Sequence, residues 1–420
     1  MSNDYPKLRF VEALPIEPDR HLKLGANAEP AFVLRDPTGI ADNLVVVSAH
    51  ALFVLQFFDG NHSLLDIRAK FLHTFGTFLP EEKLKQLVAA LEQAYLLETQ
   101  NFQDYLKRLE RQMMEQPVRQ AAHAGISYEA DPTRLRGQLD GFYQAPEGAG
   151  LPNPANNMGK TRILAAIAPH IDLRVGGACY TFTYRHLAES APAEIYVILG
   201  TGHSGLINCF SCLPKDFETP LGVVRHDAEF IAELRRRHPY DLLAEPLSHR
   251  TEHTIEFQTI FLQHLFGGKR EFAIIPILCS YAYPMLTDAR FGREKKIILS
   301  FIEALRETIA VTKRRVCVIA SVDLSHVGPR YGDPQPPDSV FLQRVTEADH
   351  QLLATLEEVN ASKFVAITER LQDRYRVCGF APLHTMLAAT EAKRGQTLKY
   401  ERGVVDDRHS IVTFASAILI

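Results

Sequence analysis

Three segments of the chain place a histidine where an apolar run ends. The first is AIAPHIDLRVGG (166–177), in which small apolar residues give way to His170, Asp172 and Arg174. The second is LGTGHSG (199–205), with His203 and Ser204, and the third is SVDLSH (321–326), with Ser321, Asp323 and His326. Neutral imidazole is a metal ligand and a base near pH 7, a carboxylate holds or moves a proton, and a guanidinium grips an anion. One histidine beside a core strand is ordinarily structural. Three strand ends of the same kind form a candidate site if the strands are neighbours. Arg174 suits either an anionic ligand or an ion pair with Asp172, and Ser204 could touch a ligand beside His203.

Other short motifs compete for attention. HRTEH (249–253) matches H-x-x-E-H, in which His249 and His253 on one helical face would bind zinc and Glu252 would activate water. The same residues also read as the polar start of a helix, with Glu252 and Glu256 at its positive end. GTGHSG fits the glycine fingerprint of dinucleotide sites. The residues after it, LINCFSCLPKDFETPLG, have no helical period, so the glycines point instead to a tight turn around His203. Cys209 and Cys212 form a lone C-x-x-C without a second pair, which suits two reduced thiols better than a zinc ribbon. Cys378, in RVCGFAP, precedes a glycine and a helix with Pro382 in its first turn. A helix N-terminus favours thiolate, the form that binds metal or attacks as a nucleophile.

The elements that must position these groups follow residue 160. RILAAIAP, EIYVILG, FAIIPIL, RVCVIAS and SIVTFASAILI are short continuous apolar runs, the pattern of strands buried on both faces. Helical patterns separate them: DAEFIAELRRR, TIEFQTIFLQHLF, REKKIILSFIEALRETI, FLQRVTEADHQLLATL and APLHTMLAATEAK. This alternation predicts a three-layer α/β domain with a parallel or mixed sheet. In such sheets ligands sit outside the carboxyl ends of the strands, where the three histidine segments fall.

The first 115 residues read differently. Ser63 and Asp66 form a capping box before Leu64, Ile67 and Phe71, and Pro80 opens a helix with Leu84, Leu87, Val88 and Leu91 on one face. The charged stretch from Phe102 to Pro117 predicts a helix leading into the second domain, and EGAGLPNPANNMGK (147–160) predicts a loop. The domains expected are therefore 1–115, small and mainly helical, and 116–420, α/β. With 420 residues, 46% hydrophobic, 23% charged and a net charge of -4, the chain has the composition of a soluble globular protein. No global positive field draws it to nucleic acid, and the run Arg235–Arg237 reads as a solvated helix face. No window has the roughly 18 apolar residues of a membrane span, and MSNDYPKLRF lacks a signal-peptide core. The expectation is a cytoplasmic protein with six reduced cysteines.

Taken in order, AGISYEADPTRLRGQLDGFY, APHIDLRVGG, LGTGHSG, EHTIEFQ, SVDLSHVGPRYGD and VCGFAP resemble the Memo family, whose bacterial form is system protein B of the AmmeMemoRadiSam set. The likeness covers about residues 122–420. It implies the αβα sandwich of the class III extradiol dioxygenases, with a mixed central sheet. Those enzymes hold non-haem iron with two His and a Glu, and Memo proteins place Cys where the Glu was. Carried onto this chain, His170, His203 and Cys378 become ligands for iron(II) or copper, with zinc less favoured, and His253 becomes the acid/base histidine, with Asp323 and His326 beside it. The family often has an Asp three residues before that histidine. Here the position is Arg250, which leaves Glu252 or Asp323 to supply a carboxylate. The resemblance implies a redox or dioxygenase-like activity, or else a non-catalytic cleft that binds peptides. The first domain resembles the winged-helix-like, PqqD-like modules of radical-enzyme maturation systems. It implies a partner, a radical SAM protein of the same system, rather than nucleic acid or a membrane.

Overall fold

The computed structural model describes residues 4–16, 30–153 and 161–420. The chain divides into two compact units, Met1–Glu115 and Gln116–Ile420. Part of the predicted 147–160 loop, residues 154–160, lies outside the described residues, as do the first three residues of MSNDYPKLRF.

In the first unit, β1 (Glu12–Pro15), β2 (Ala31–Arg35) and β3 (Val45–Ser48) form an antiparallel sheet in that order. Four helices follow: α1 (Ala49–Leu55), α2 (Leu64–Phe75), α3 (Glu81–Gln93) and α4 (Gln100–Glu115). The Ser63–Asp66 capping box is formed in both directions, so the N-terminal amides of α2 are satisfied. Leu84, Val88 and Leu91 recur at helical spacing and bury one face of α3 against Ile67 and Phe71 of α2.

The second unit begins with β4 (Val118–Arg119) and α5 (Pro132–Gln144). Next come β5 (Ala165–Ala168), α6 (Leu173–Glu189), β6 (Ile195–Thr201), β7 (Phe210–Cys212), β8 (Asp216–Thr219) and β9 (Gly222–His226). They are followed by α7 (Ala228–Arg237), α8 (His253–Phe266), β10 (Ala273–Cys279), α9 (Pro284–Thr287) and α10 (Gly292–Val311). The unit ends with β11 (Val316–Ser321), β12 (His326–Val327), α11 (Ser339–Glu357), α12 (Ala361–Leu371), α13 (Phe380–Ala389), β13 (Gly395–Val404) and β14 (Ile411–Leu419). Among the described residues the sheet order is β12-β14-β5-β11-β6-β10-β9-β8-β4, with β13 on β14 and β7 on β10.

The sheet is mixed. Its centre is parallel, because β11 lies between β5 and β6 and β6 pairs with β10. β14 closes one side antiparallel to β5. Helices cover both faces. Alternate strand residues such as Ile167, Val197, Ile277 and Val318 share one core with Phe230 of α7, Phe301 of α10, Phe364 of α12 and Met386 of α13. On the other face α6 and α8 pack together, with the rings of Tyr180 and Tyr184 stacked on Phe261. Two glycines permit close approach there. A Cβ on Gly177 would lie 2.7 Å from the Phe142 ring, and one on Gly200 would lie 2.4 Å from Thr254 Oγ1.

The five apolar runs are all strands, and β5, β6 and β11 are adjacent and parallel, so the three histidine segments leave the sheet at one end. The segment after His170 holds more structure than its sequence suggests. Asp172 accepts from the amide of Arg174 and starts α6 directly, although GGACYTFTY carries glycines, threonines and aromatics that are weak helix formers.

Candidate metal centre

His170 follows β5 and is buried. Its Nδ1 donates to the carbonyl of Ser321, the last residue of β11, at 3.0 Å, which makes Nε2 the acceptor nitrogen and turns its lone pair toward Cys378. Asp323, two residues beyond β11, accepts the amides of His170 and Ile171 at 3.0 and 3.2 Å. It thereby ties the two strand exits together. Burial outweighs those hydrogen bonds and pushes the Asp323 carboxyl up to about 7.

His203 follows β6 in the glycine turn. Its Nδ1 donates to Glu252 Oε2 at 3.0 Å. Glu252 caps α8 by accepting the amide of Thr254, and its Oε1 lies 3.1 Å from Nδ1 of His253. One carboxylate therefore orients two imidazoles. Burial alone would raise the Glu252 carboxyl, but the two histidines hold it well below the usual range. Burial would lower His203, and Glu252 outweighs that, so its imidazole is raised. His170 is held well below its ordinary value by burial and by its two histidine neighbours. The three rings form a triangle, with centroids 5.1 Å apart for His170–His203, 5.4 Å for His170–His253 and 5.2 Å for His203–His253.

Cys378 enters from the loop before α13. Its Sγ lies 3.2 Å from His170 Nε2, and one ligand atom each from His170, His203 and Cys378 falls within 4.8 Å of the others. His203, Glu252 and His253 also meet that spacing. In that second trio the Glu252 carboxylate already accepts from both rings and from the Thr254 amide, whereas the first trio offers two Nε2 atoms and a sulfur. The thiol departs from the sequence expectation. Burial, followed by the Asp323 charge, raises it well above its ordinary value. The start of α13 does not offset desolvation, so Cys378 carries its proton.

The cleft has a volume of about 800 Å³ and is lined by His170, His203, His253, Asp323, His326 and Cys378, with Arg174, Arg330 and Arg376 among its other lining residues. His326 donates through Nδ1 to the carbonyl of Leu324 at 3.0 Å, and burial lowers it to about 4. Arg174 lies at the cleft with its guanidinium on Asp172, the ion-pair alternative. Ser204 is exposed beside His203 and does not line the cleft. Ser321 is spent inside the fold, where its hydroxyl donates to Thr254 O and accepts from Gln258.

The zinc-peptidase arrangement of His249, Glu252 and His253 is not present. Histidines four apart share a face only within one continuous helix. Here Pro246–His249 is a separate 3-10 turn and α8 begins at His253, capped by Glu252. His249 is buried with Nε2 on Ser211 Oγ at 3.1 Å, and Glu252 faces His203 instead. Cys209 and Cys212 are buried free thiols raised by burial to about 11 and about 12.

An α/β sandwich with a mixed sheet, whose parallel strands deliver two histidines to a cysteine at their carboxyl ends, defines the class of this protein. The chain belongs to the Memo-like protein family, whose model matches residues 119–418. A MEMO1 family protein of Aquifex aeolicus is 29% identical over 399 residues, 94% of each chain. One of Methanopyrus kandleri is 29% identical over 308 residues, 71% of this chain and 98% of that one. One of Thermus thermophilus is 26% identical over 339 residues, 80% of this chain and 93% of its own. Among the described residues no helix is long and apolar enough to cross a membrane.

The sequence reading did not single out Arg330, Tyr331 or Arg376. A signal for the first two was present in GPRYGD, where glycines flank an arginine and a tyrosine as they would in a tight turn.

Proposed function

We propose that the second unit is a non-haem metal-binding redox enzyme, dioxygenase-like, with His170, His203 and Cys378 as its protein ligands. The observation that carries this reading is the spending of both Nδ1 protons, on Ser321 O and Glu252, which leaves two imidazole lone pairs beside one sulfur. Two imidazoles and a thiolate suit iron(II) or copper, and zinc is the less favoured occupant. When bound, such a metal supplies redox chemistry and, with only three protein ligands, open positions for a small molecule.

The chain's own residues do the rest. Cys378 gives up its proton on ligation. Glu252 holds His253 at the cleft wall, where the imidazole moves a proton to or from the substrate. Asp323 fixes the His170 loop and offers a second protonatable group, and His326 also lines the cleft. Six free cysteines, five of them buried, are consistent with action in the reducing cytoplasm. The first unit would dock a partner, a radical SAM protein being the class the family likeness suggests. Deleting residues 1–115 should abolish capture of that partner, and unchanged capture would sink this assignment.

The test of the centre is metal content by mass spectrometry on protein purified without oxygen. Near-stoichiometric iron or copper, lost in His170→Ala and Cys378→Ala, supports the reading. Protein that takes up neither metal on reconstitution overturns it. The second reading, a peptide-binding cleft without turnover, is favoured by the breadth of the cleft and the valines on its wall. It expects ligand affinity to survive metal removal unchanged.

A further inference from the structure

Three guanidinium groups line the cleft, and two of them are committed. Arg174 donates to Asp172 at 2.7 and 2.8 Å. Arg376 donates to Asp333 at 2.5 Å and to the carbonyl of His326 at 3.0 Å. Arg330 makes no side-chain hydrogen bond or ion pair among the described residues, and it is exposed at the cleft. The other two cleft guanidiniums each have an acid, Asp172 for Arg174 and Asp333 for Arg376, so among the described residues Arg330 is the cleft arginine not held by one.

The backbone that carries Arg330 is fixed. Its amide donates to Ser410 Oγ at 3.0 Å, and the preceding Gly328 donates to Asp333 at 2.7 Å. Gly328 and Gly332 take φ of 110° and 89°, and a Cβ on Gly328 would lie 2.7 Å from Ser410 Cα. A rigid turn thus presents an uncommitted guanidinium to the cleft. The other lining is apolar in part, from Ile171, Val175, Val404, Val405 and Val412.

We infer that the cleft takes an organic anion, an oxyanion group carried on an apolar body, with Arg330 holding the oxyanion and the valine wall covering the body. The inference rests on the reading of this cleft as the substrate site. It makes Arg330 a specificity-determining residue rather than a catalytic one.

The test titrates the full chain, stripped of metal by a chelator, with 3-phenylpropionate, phenyl phosphate and the neutral 3-phenylpropionamide. Affinities are read by ligand-observed NMR. At least one of the two anions should bind about tenfold tighter than the amide, the worth of one charge-assisted contact. The tighter of the two identifies the oxyanion as carboxylate or phosphate. Arg330→Gln should erase the preference, Arg330→Lys should keep part of it, and Arg174→Gln should leave it intact. Equal affinity of anions and amide for the wild type, no binding of any probe, or a preference that survives Arg330→Gln each overturns the inference. Because the protein is metal-free, these outcomes are independent of the metal content that tests the centre itself.

Discussion

The cleft histidines and the buried histidines outside it have the same side chain in two different situations. His238, His249 and His384 are buried, and one ring nitrogen of each is hydrogen-bonded, respectively to Ser300 Oγ, Ser211 Oγ and Tyr281 Oη. Desolvation drives them down to about 4, about 3 and about 4. His170 and His203 are each hydrogen-bonded at Nδ1, by acceptors that leave Nε2 toward a common point with Cys378. Burial and a hydrogen bond do not distinguish a ligand from a structural residue. Convergence of the remaining lone pairs does.

The sharpest way to break this comparison is to remove one histidine from each region. His170→Ala should lower iron(II) affinity by more than about hundredfold, the upper end of what even supporting residues contribute. His249→Ala should leave it within about twofold. Equal losses, read by competition with a fluorescent chelator, would return zinc-peptidase chemistry to consideration and undo the contrast.

A smaller effect is expected at the carboxylate that joins two rings. Glu252→Gln keeps the size of the side chain and can still cap α8, yet one amide cannot accept from both His203 and His253. Affinity for the metal should fall about 10- to 100-fold. Glu256→Gln is the control, since that carboxylate serves Arg119, Tyr128 and the amides of Ala122 and His123 away from the cleft. Its cost should appear as lost thermal stability with the metal affinity of the folded protein retained.

The buried set makes its own prediction with pH. A histidine lowered from 6.5 to about 3, as His249 is, binds its proton in the unfolded chain first. Above pH 6.5 both states are neutral and the group has no effect. As pH falls from 6.5 toward 3 the unfolded state gains protons, and stability drops by up to about 1.4 kcal/mol per pH unit. Asp323, raised to about 7, acts oppositely, because its folded form keeps the proton between pH 4 and 7 and loses stability as pH rises through that window. In metal-free protein, denaturant midpoints of His249→Phe should fall less steeply than wild type between pH 6.5 and 4. An unchanged acid limb would show that His249 is not held neutral.

Much of this was legible in the chain because strand burial is a one-dimensional signal. VILG, IIPIL and VCVIA are continuous runs without a charged or strongly polar side chain, and in β6, β10 and β11 nearly every residue is buried. Their carboxyl ends therefore located His203 and Asp323 before any contact was known. Helix α6 was less legible, since its stability comes from tertiary packing of Gly177 on Phe142 and of Tyr180 and Tyr184 on Phe261, which no local propensity encodes. The H-x-x-E-H match misled in one respect for a related reason. The spacing assumes a continuous helix, whereas Glu252 caps α8 and gives its carboxylate to His203, 49 residues away. Arg330 stayed hidden because an unpaired arginine is defined only by the partners that surround it in three dimensions.

His326 is the case that sharpens the contrast most finely, because it belongs to both sets. It lines the cleft, yet its Nδ1 donates to Leu324 O and burial lowers it to about 4, as for the structural histidines. Its ring stands edge-on to Tyr331 with centroids 4.9 Å apart, and it lies outside the trio whose donor atoms converge. If convergence is what makes a ligand, His326→Gln should hold metal within about threefold of wild type, far from the loss expected at His170. Any effect on turnover would then appear in the pH profile. A metal loss as large as that of His170→Ala would mean that lining the cleft is enough, and that the distinction drawn from ring orientation is the wrong one.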